Sequence, residues 1–120
     1  MKTTLFLALI SFALSLAIAG TANNWIVGHW RYAKEGRSSD CTYRGDGTFT
    51  GNVALQGKVV WVFAGTWSID GDMLNYQYTQ SSVERIPVGT TGGDKLVEIT
   101  SDHFTLETNN RTRQIYLRLP

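Results

Sequence analysis

From Val59 to Ile69 the chain alternates without a break: Val59, Trp61, Phe63, Gly65, Trp67 and Ile69 fall on one face of an extended strand, Val60, Val62, Ala64, Thr66 and Ser68 on the other. Successive side chains of a strand point to opposite faces, so a run of this length commits its aromatic set to a core and reads poorly as a helix. The same period places Ile26, Gly28, Trp30 and Tyr32 on one face of a first strand, Phe49, Gly51, Val53 and Leu55 on the next, and Leu74, Tyr76 and Tyr78 on a middle one. Lys95 to Thr100, Phe104 to Thr108 and Arg113 to Leu119 complete the set, and no helical period longer than a turn or two interrupts it.

Gly45-Asp46-Gly47, Asp70-Gly71 and Asn109-Asn110 separate alternating runs with residue types that accept the positive φ of tight turns. Consecutive strands are therefore expected to be antiparallel neighbours. The expectation is an all-β protein, an up-and-down meander of about eight short strands closed into a small barrel, because closure removes both exposed edges. A two-sheet β-sandwich with the same strand order is the alternative. Gly51 and Gly65, inside strands, suit sharp bends. Glu35 to Asp40 reads as a short solvated connection. Ser81 to Asp94, with Pro87, Gly89, Gly92 and Gly93, reads as the longest irregular stretch. It is either a binding lid or, given Val83, Ile86 and Val88, a segment folded over one barrel end.

The first residues stand apart from this pattern. Lys2 gives a short positive start, Leu5 to Leu16 is mostly apolar, and Ala17-Ile18-Ala19 offers the small-x-small pattern of a cleavable signal peptide. The apolar run falls short of the roughly 20 residues a spanning helix needs, and no basic cluster follows it. We therefore expect a signal peptide over residues 1–19, with cleavage after Ala22 as the other option, and a single domain over residues 20–120. The mature protein is expected to be secreted or periplasmic, with no membrane span.

Composition narrows function mainly by exclusion. Without Lys2, the 11 basic residues fall to ten against ten acidic, so no broad field exists to attract nucleic acid or anionic lipid. Cys41 is the only cysteine, so no intramolecular disulfide can form; it reads as a buried apolar filler, with an intermolecular bridge as the alternative state. His29 and His103 sit in no nucleophile or metal motif. Asp70 and Asp72 lack the glutamate of a calcium loop. The chain is read as a non-enzyme, with no cofactor and no metal. Asn110-Arg111-Thr112 is a glycosylation sequon in an expected turn, meaningful only in a eukaryotic secretory route.

Gly28-His29-Trp30, Asp46-Gly47-Thr48-Phe49, Gly65-Thr66-Trp67, Asp70-Gly71-Asp72 and the closing Tyr116-Leu117-Arg118, taken in order and spacing, resemble the small secreted lipocalin-like domains. The resemblance covers essentially the whole mature chain. It implies that Gly28 and Trp30 head the first strand, that Trp30 plugs one barrel end, and that Arg118 packs across it through a cation–ring contact worth about 0.5 to 2 kcal/mol. It also implies a non-enzymatic binding protein for a small apolar or amphipathic ligand. The expected interior is Trp30, Tyr32, Phe49, Trp61, Phe63, Trp67, Tyr76, Tyr78, Phe104, Tyr116 and Arg118.

Two questions stay open in the sequence. So many bulky residues can fill a small barrel outright or line a cavity in it. Tyr116 and Arg118 share a face opposite Ile115, Leu117 and Leu119: pointing inward they resemble the pairs with which fatty-acid-binding barrels hold a carboxylate, and pointing outward they brace Trp30 or meet water. The alternative function is a protein-binding barrel with a solid core and active loops, such as an inhibitor of a secreted hydrolase, with Gly20 to Asn24 as its arm. The family inhibitors of that type carry a disulfide, which the lone Cys41 cannot form.

Overall fold

The structure, a computed structural model, describes residues 25–120. The expected signal peptide, its cleavage sites and the Gly20 to Asn24 arm lie outside the described residues. Eight strands follow one another: β1 (Gly28–Lys34), β2 (Arg37–Tyr43), β3 (Thr48–Leu55), β4 (Lys58–Asp70), β5 (Met73–Ser81), β6 (Thr91–Ile99), β7 (His103–Glu107) and β8 (Arg113–Arg118). Each pairs antiparallel with the next, and β8 returns to β1 through Trp30 opposite Arg118 and Arg31 opposite Leu117. The barrel is closed, so the sandwich alternative falls and no edge is left open.

Two segments differ from the sequence reading. Glu35 to Asp40 is not a solvated connection: only Glu35 and Gly36 turn, and β2 begins at Arg37. Their φ values of 53° and 80° are those of the two-residue turn that matches strand twist, and Gln56 and Gly57 repeat it at 50° and 80° between β3 and β4. Likewise, Thr91 to Asp94 belongs to β6, which leaves residues 82–90 as the irregular stretch. In the turn after β7 the positive φ falls on Arg111, at 63°, rather than on Asn109 or Asn110.

Alternation along β4 holds from Trp61 to Ile69 and fails above it. Val53 faces Trp61 while Ala54 faces Val59, so Val60 is an inserted bulge residue. Val59 is thereby turned out of the core face assigned to it and is 51% exposed, and Leu55 opposite the same hairpin is 47% exposed. The hairpin's tip projects past the barrel wall.

The in-strand glycines make room for rings. Gly51 faces Phe63 and Gly65 faces Phe49 across β3 and β4, and Gly92 faces Tyr76 across β5 and β6. A Cβ on Gly51 would lie 2.6 Å from the Phe63 ring, and one on Gly65 would lie 2.7 Å from that of Phe49. In each pair an aromatic ring covers its glycine partner, a device that bends and tightens curved sheets.

The turns after β2, β4 and β6 gather at one end of the barrel with Trp25 to Val27 and the last residues. This end is filled. Trp30 and Phe104 are both 0% exposed and meet edge to face at 4.7 Å, and Phe104 stacks on Tyr116 at 4.8 Å. Ile26 and Leu74 complete the plug, and the Trp30 indole donates to the Ile26 carbonyl at 2.7 Å. The opposite end carries the turns after β1, β3 and β7 and the 82–90 stretch.

Candidate functional site

Above the plug the barrel is hollow. A cavity of about 260 Å³ opens between the strands, walled by Phe49, Trp61, Phe63, Tyr76, Tyr78 and Tyr116. Inward parity on β3, β4, β5 and β8 delivers these rings, and the glycine partners of Phe49, Phe63 and Tyr76 let them lie back against the sheet. Tyr78 stands at the centre of the array. It meets Trp61 at 5.3 Å, Tyr76 at 5.5 Å and Phe63 at 5.6 Å, all near edge-to-face. The Trp61 indole is held by a hydrogen bond to Ser81 Oγ at 2.9 Å, which fixes the wall where β5 ends.

Polar groups enter the same cavity from β2, β6 and β8 and from the end of β7: Arg37, Ser39, Asp94, Thr108 and Gln114. Burial pushes the Asp94 carboxyl above its usual range and is likewise the first cause of raised phenol values at Tyr43, Tyr76, Tyr78 and Tyr116. Cys41 and Tyr43 also face this space, and burial pushes the thiol up to about 12. Cys41 is thus the buried filler the sequence implied, with its sulfur free.

A closed eight-stranded meander, plugged at one end and hollow above, is similar to the structure of a lipocalin-like protein from Bacteroides uniformis ATCC 8492. The TM-score is 0.57 at 16% identity, over 78% of this chain and 98% of that one. The fold is a lipocalin-like barrel. No family model and no curated protein matches the sequence.

Within the lipocalin-like barrel the eleven residues expected inside separate into two groups. Phe49, Trp61, Phe63, Tyr76, Tyr78 and Tyr116 line the cavity. The others do not. Trp30 and Phe104 belong to the plug beneath it. Tyr32 is half-buried beside Tyr116, 5.6 Å away and tilted by 34°, rather than in the cavity wall. Trp67 packs edge-on against Tyr43 at 5.7 Å and donates to the carbonyls of Arg44 and Thr48, both at 3.1 Å, so it secures the turn after β2.

Arg118 resolves its parity question in an unexpected way. It shares the inward face with Tyr116, yet its guanidinium lies at the plugged end, 4.2 Å from the centre of the Trp30 ring. Its three nitrogens donate to the carbonyls of Ser101, Val27 and Trp25, at 2.6, 3.0 and 2.5 Å. A guanidinium spent on three backbone oxygens and a ring holds no ligand carboxylate. The cation on the cavity is instead Arg37, which reading by aromatic content passes over together with Ser39, Asp94 and Gln114.

Proposed function

We propose that this protein is a secreted, non-enzymatic carrier that takes one small amphipathic molecule into the upper half of its barrel. The observation that supports this most is the division of the interior. The plug around Trp30 and Phe104 fills one end, while above it core rings such as Phe49, Phe63 and Tyr116 also wall a 260 Å³ cavity that polar groups border. A cavity somewhat below the roughly 300 Å³ of drug-sized sites suits a small ligand, bound by desolvation against the rings and oriented by one or two polar contacts. The expected leader over residues 1–19 supports export.

Native mass spectrometry of the protein purified from its secretory compartment tests this reading. The expected result is a discrete added mass that is lost on denaturation and is absent from a Ser39→Trp variant, whose indole would occupy the cavity. An unliganded mass, together with no response to any amphiphile in calorimetric titration, would overturn it.

A further inference from the structure

Among the described residues, three carboxylates are partly buried: Asp40, Glu107 and Asp94. The first two have arginine partners, Arg31 at 2.7 Å from Asp40 and Arg113 at 3.4 Å from Glu107. Asp94 has no ion-pair partner among the described residues, although it lies opposite Leu74 on the inward face of β6 and lines the cavity. A carboxylate drawn out of water is costly unless something pairs with it. Arg37 borders the same cavity but is exposed at its rim and does not pair with Asp94, so water can serve it as water cannot fully serve Asp94.

The surroundings of Asp94 fit a cation. Tyr76 and Tyr78 beside it are part-buried and line the same cavity, and their hydroxyls can accept from an occupant there. Next to the cavity, and sharing Arg37, Val53 and Trp61 with it, is a vestibule of about 260 Å³ bordered by Leu55, Val60 and Ile86, with the exposed Arg37 and Arg85 at its rim. Apart from these two solvated arginines the vestibule is apolar, and the unpaired carboxylate lies in the cavity behind it.

Resting on the carrier reading above, we infer that the cavity selects a small organic cation, an alkyl or aryl ammonium, whose nitrogen meets Asp94 beside the hydroxyls of Tyr76 and Tyr78 while its apolar body extends past Trp61 into the vestibule. An ammonium, with three donors, satisfies the carboxylate by a charge-assisted hydrogen bond and donates to the tyrosine hydroxyls at once. An anion would place its charge against Asp94 and gain only the solvated Arg37 and Arg85.

Calorimetric titration of the mature protein with octylammonium, octanoate and octanol, three probes of equal chain length, tests the assignment. Octylammonium is expected to bind at least about tenfold more tightly than either other probe. Asp94→Asn, which keeps the side-chain shape, is expected to erase that preference while the circular dichroism spectrum stays unchanged. Arg37→Gln is expected to leave octylammonium affinity equal or higher. Tighter binding of octanoate, equal binding of octanol, or a preference that survives in Asp94→Asn overturns the inference and leaves the carrier reading standing. No binding of any of the three overturns both.

Discussion

Arg118 and Trp30 face each other across the β8–β1 seam, with the guanidinium carbon 4.2 Å from the indole centre, at the one place where the last strand meets the first. Because the seam is short, the three hydrogen bonds from Arg118 to the carbonyls of Trp25, Val27 and Ser101 fasten the chain's first described turn and the β6–β7 turn to its closing strand. Arg118→Met should therefore destabilise the barrel by about 2 to 4 kcal/mol, because it removes the charged hydrogen bonds and the cation–π attraction to Trp30 at the same time. Arg118→Lys should recover little of it, since a point charge cannot reach three divergent carbonyls. Urea unfolding measures both. Ligand binding by whatever fraction remains folded should be unchanged.

Gly65 and Gly45 offer a paired test of the ring-over-glycine device. A Cβ at Gly65 would meet the Phe49 ring at 2.7 Å and press on the backbone carbonyl of Gln77, which cannot move without breaking the β4–β5 ladder. Gly65→Ala is expected to cost about 1 to 3 kcal/mol, the usual range for overpacking. At Gly45 nothing lies within 4 Å of an added Cβ and φ is not positive, so Gly45→Ala should shift the urea midpoint little or not at all. Equal effects at the two sites would mean that the rings do not depend on their glycine partners.

The aromatic half of this site is legible in the sequence because period-two alternation and ring content coincide in β3, β4 and β5. The polar half is not. β2 puts Ser39, Cys41 and Tyr43 inward, and a strand whose buried face begins with serine shows no apolar alternation, so Arg37 to Asp40 read as loop. Gly92 and Gly93 read as turn residues because what explains Gly92, the Tyr76 ring above it, lies on another strand. Val59 is misplaced for a similar reason: a bulge is set by the partner strand's register and leaves no mark in the local pattern. Arg118 shows the limit of parity itself. Facing inward says which side of the sheet a residue takes, not which end of the barrel its long side chain reaches.

The buried phenols make stability fall on the alkaline side. Burial, with smaller contributions from neighbouring ionisable groups, holds Tyr43, Tyr76, Tyr78 and Tyr116 above the ordinary tyrosine range. Above about pH 10 the unfolded chain therefore releases protons that the native chain keeps, and the native state binds more of them. Stability from these groups is fully present below that pH and is lost as pH rises toward their folded values. Urea midpoints measured from about pH 8 to 11 should be flat and then decline, with tyrosinate absorbance from these rings appearing only as the structure is lost. Early, reversible ionisation of the whole set in the folded protein would mean that the cavity is fully wet.

Cys41 faces the same cavity with its thiol held at about 12, chiefly by burial and partly offset by hydrogen bonds from Ser39 and Tyr43. The thiolate is the reactive form, and at about pH 8 its fraction in the native protein is about a thousandfold below that of an ordinary cysteine. Native protein should therefore react with iodoacetamide about a thousandfold more slowly than protein in urea, as followed by intact mass. It should also migrate as a monomer on a non-reducing gel after exposure to oxidant, because no partner thiol can reach a sulfur on the inner face of a closed barrel. Labelling at the unfolded rate, or a reducible dimer formed without unfolding, would show that β2 opens far more readily than its pairing with β1 and β3 implies. Occupying the cavity with a bound molecule should slow the labelling further, which gives a second and independent readout of ligand binding.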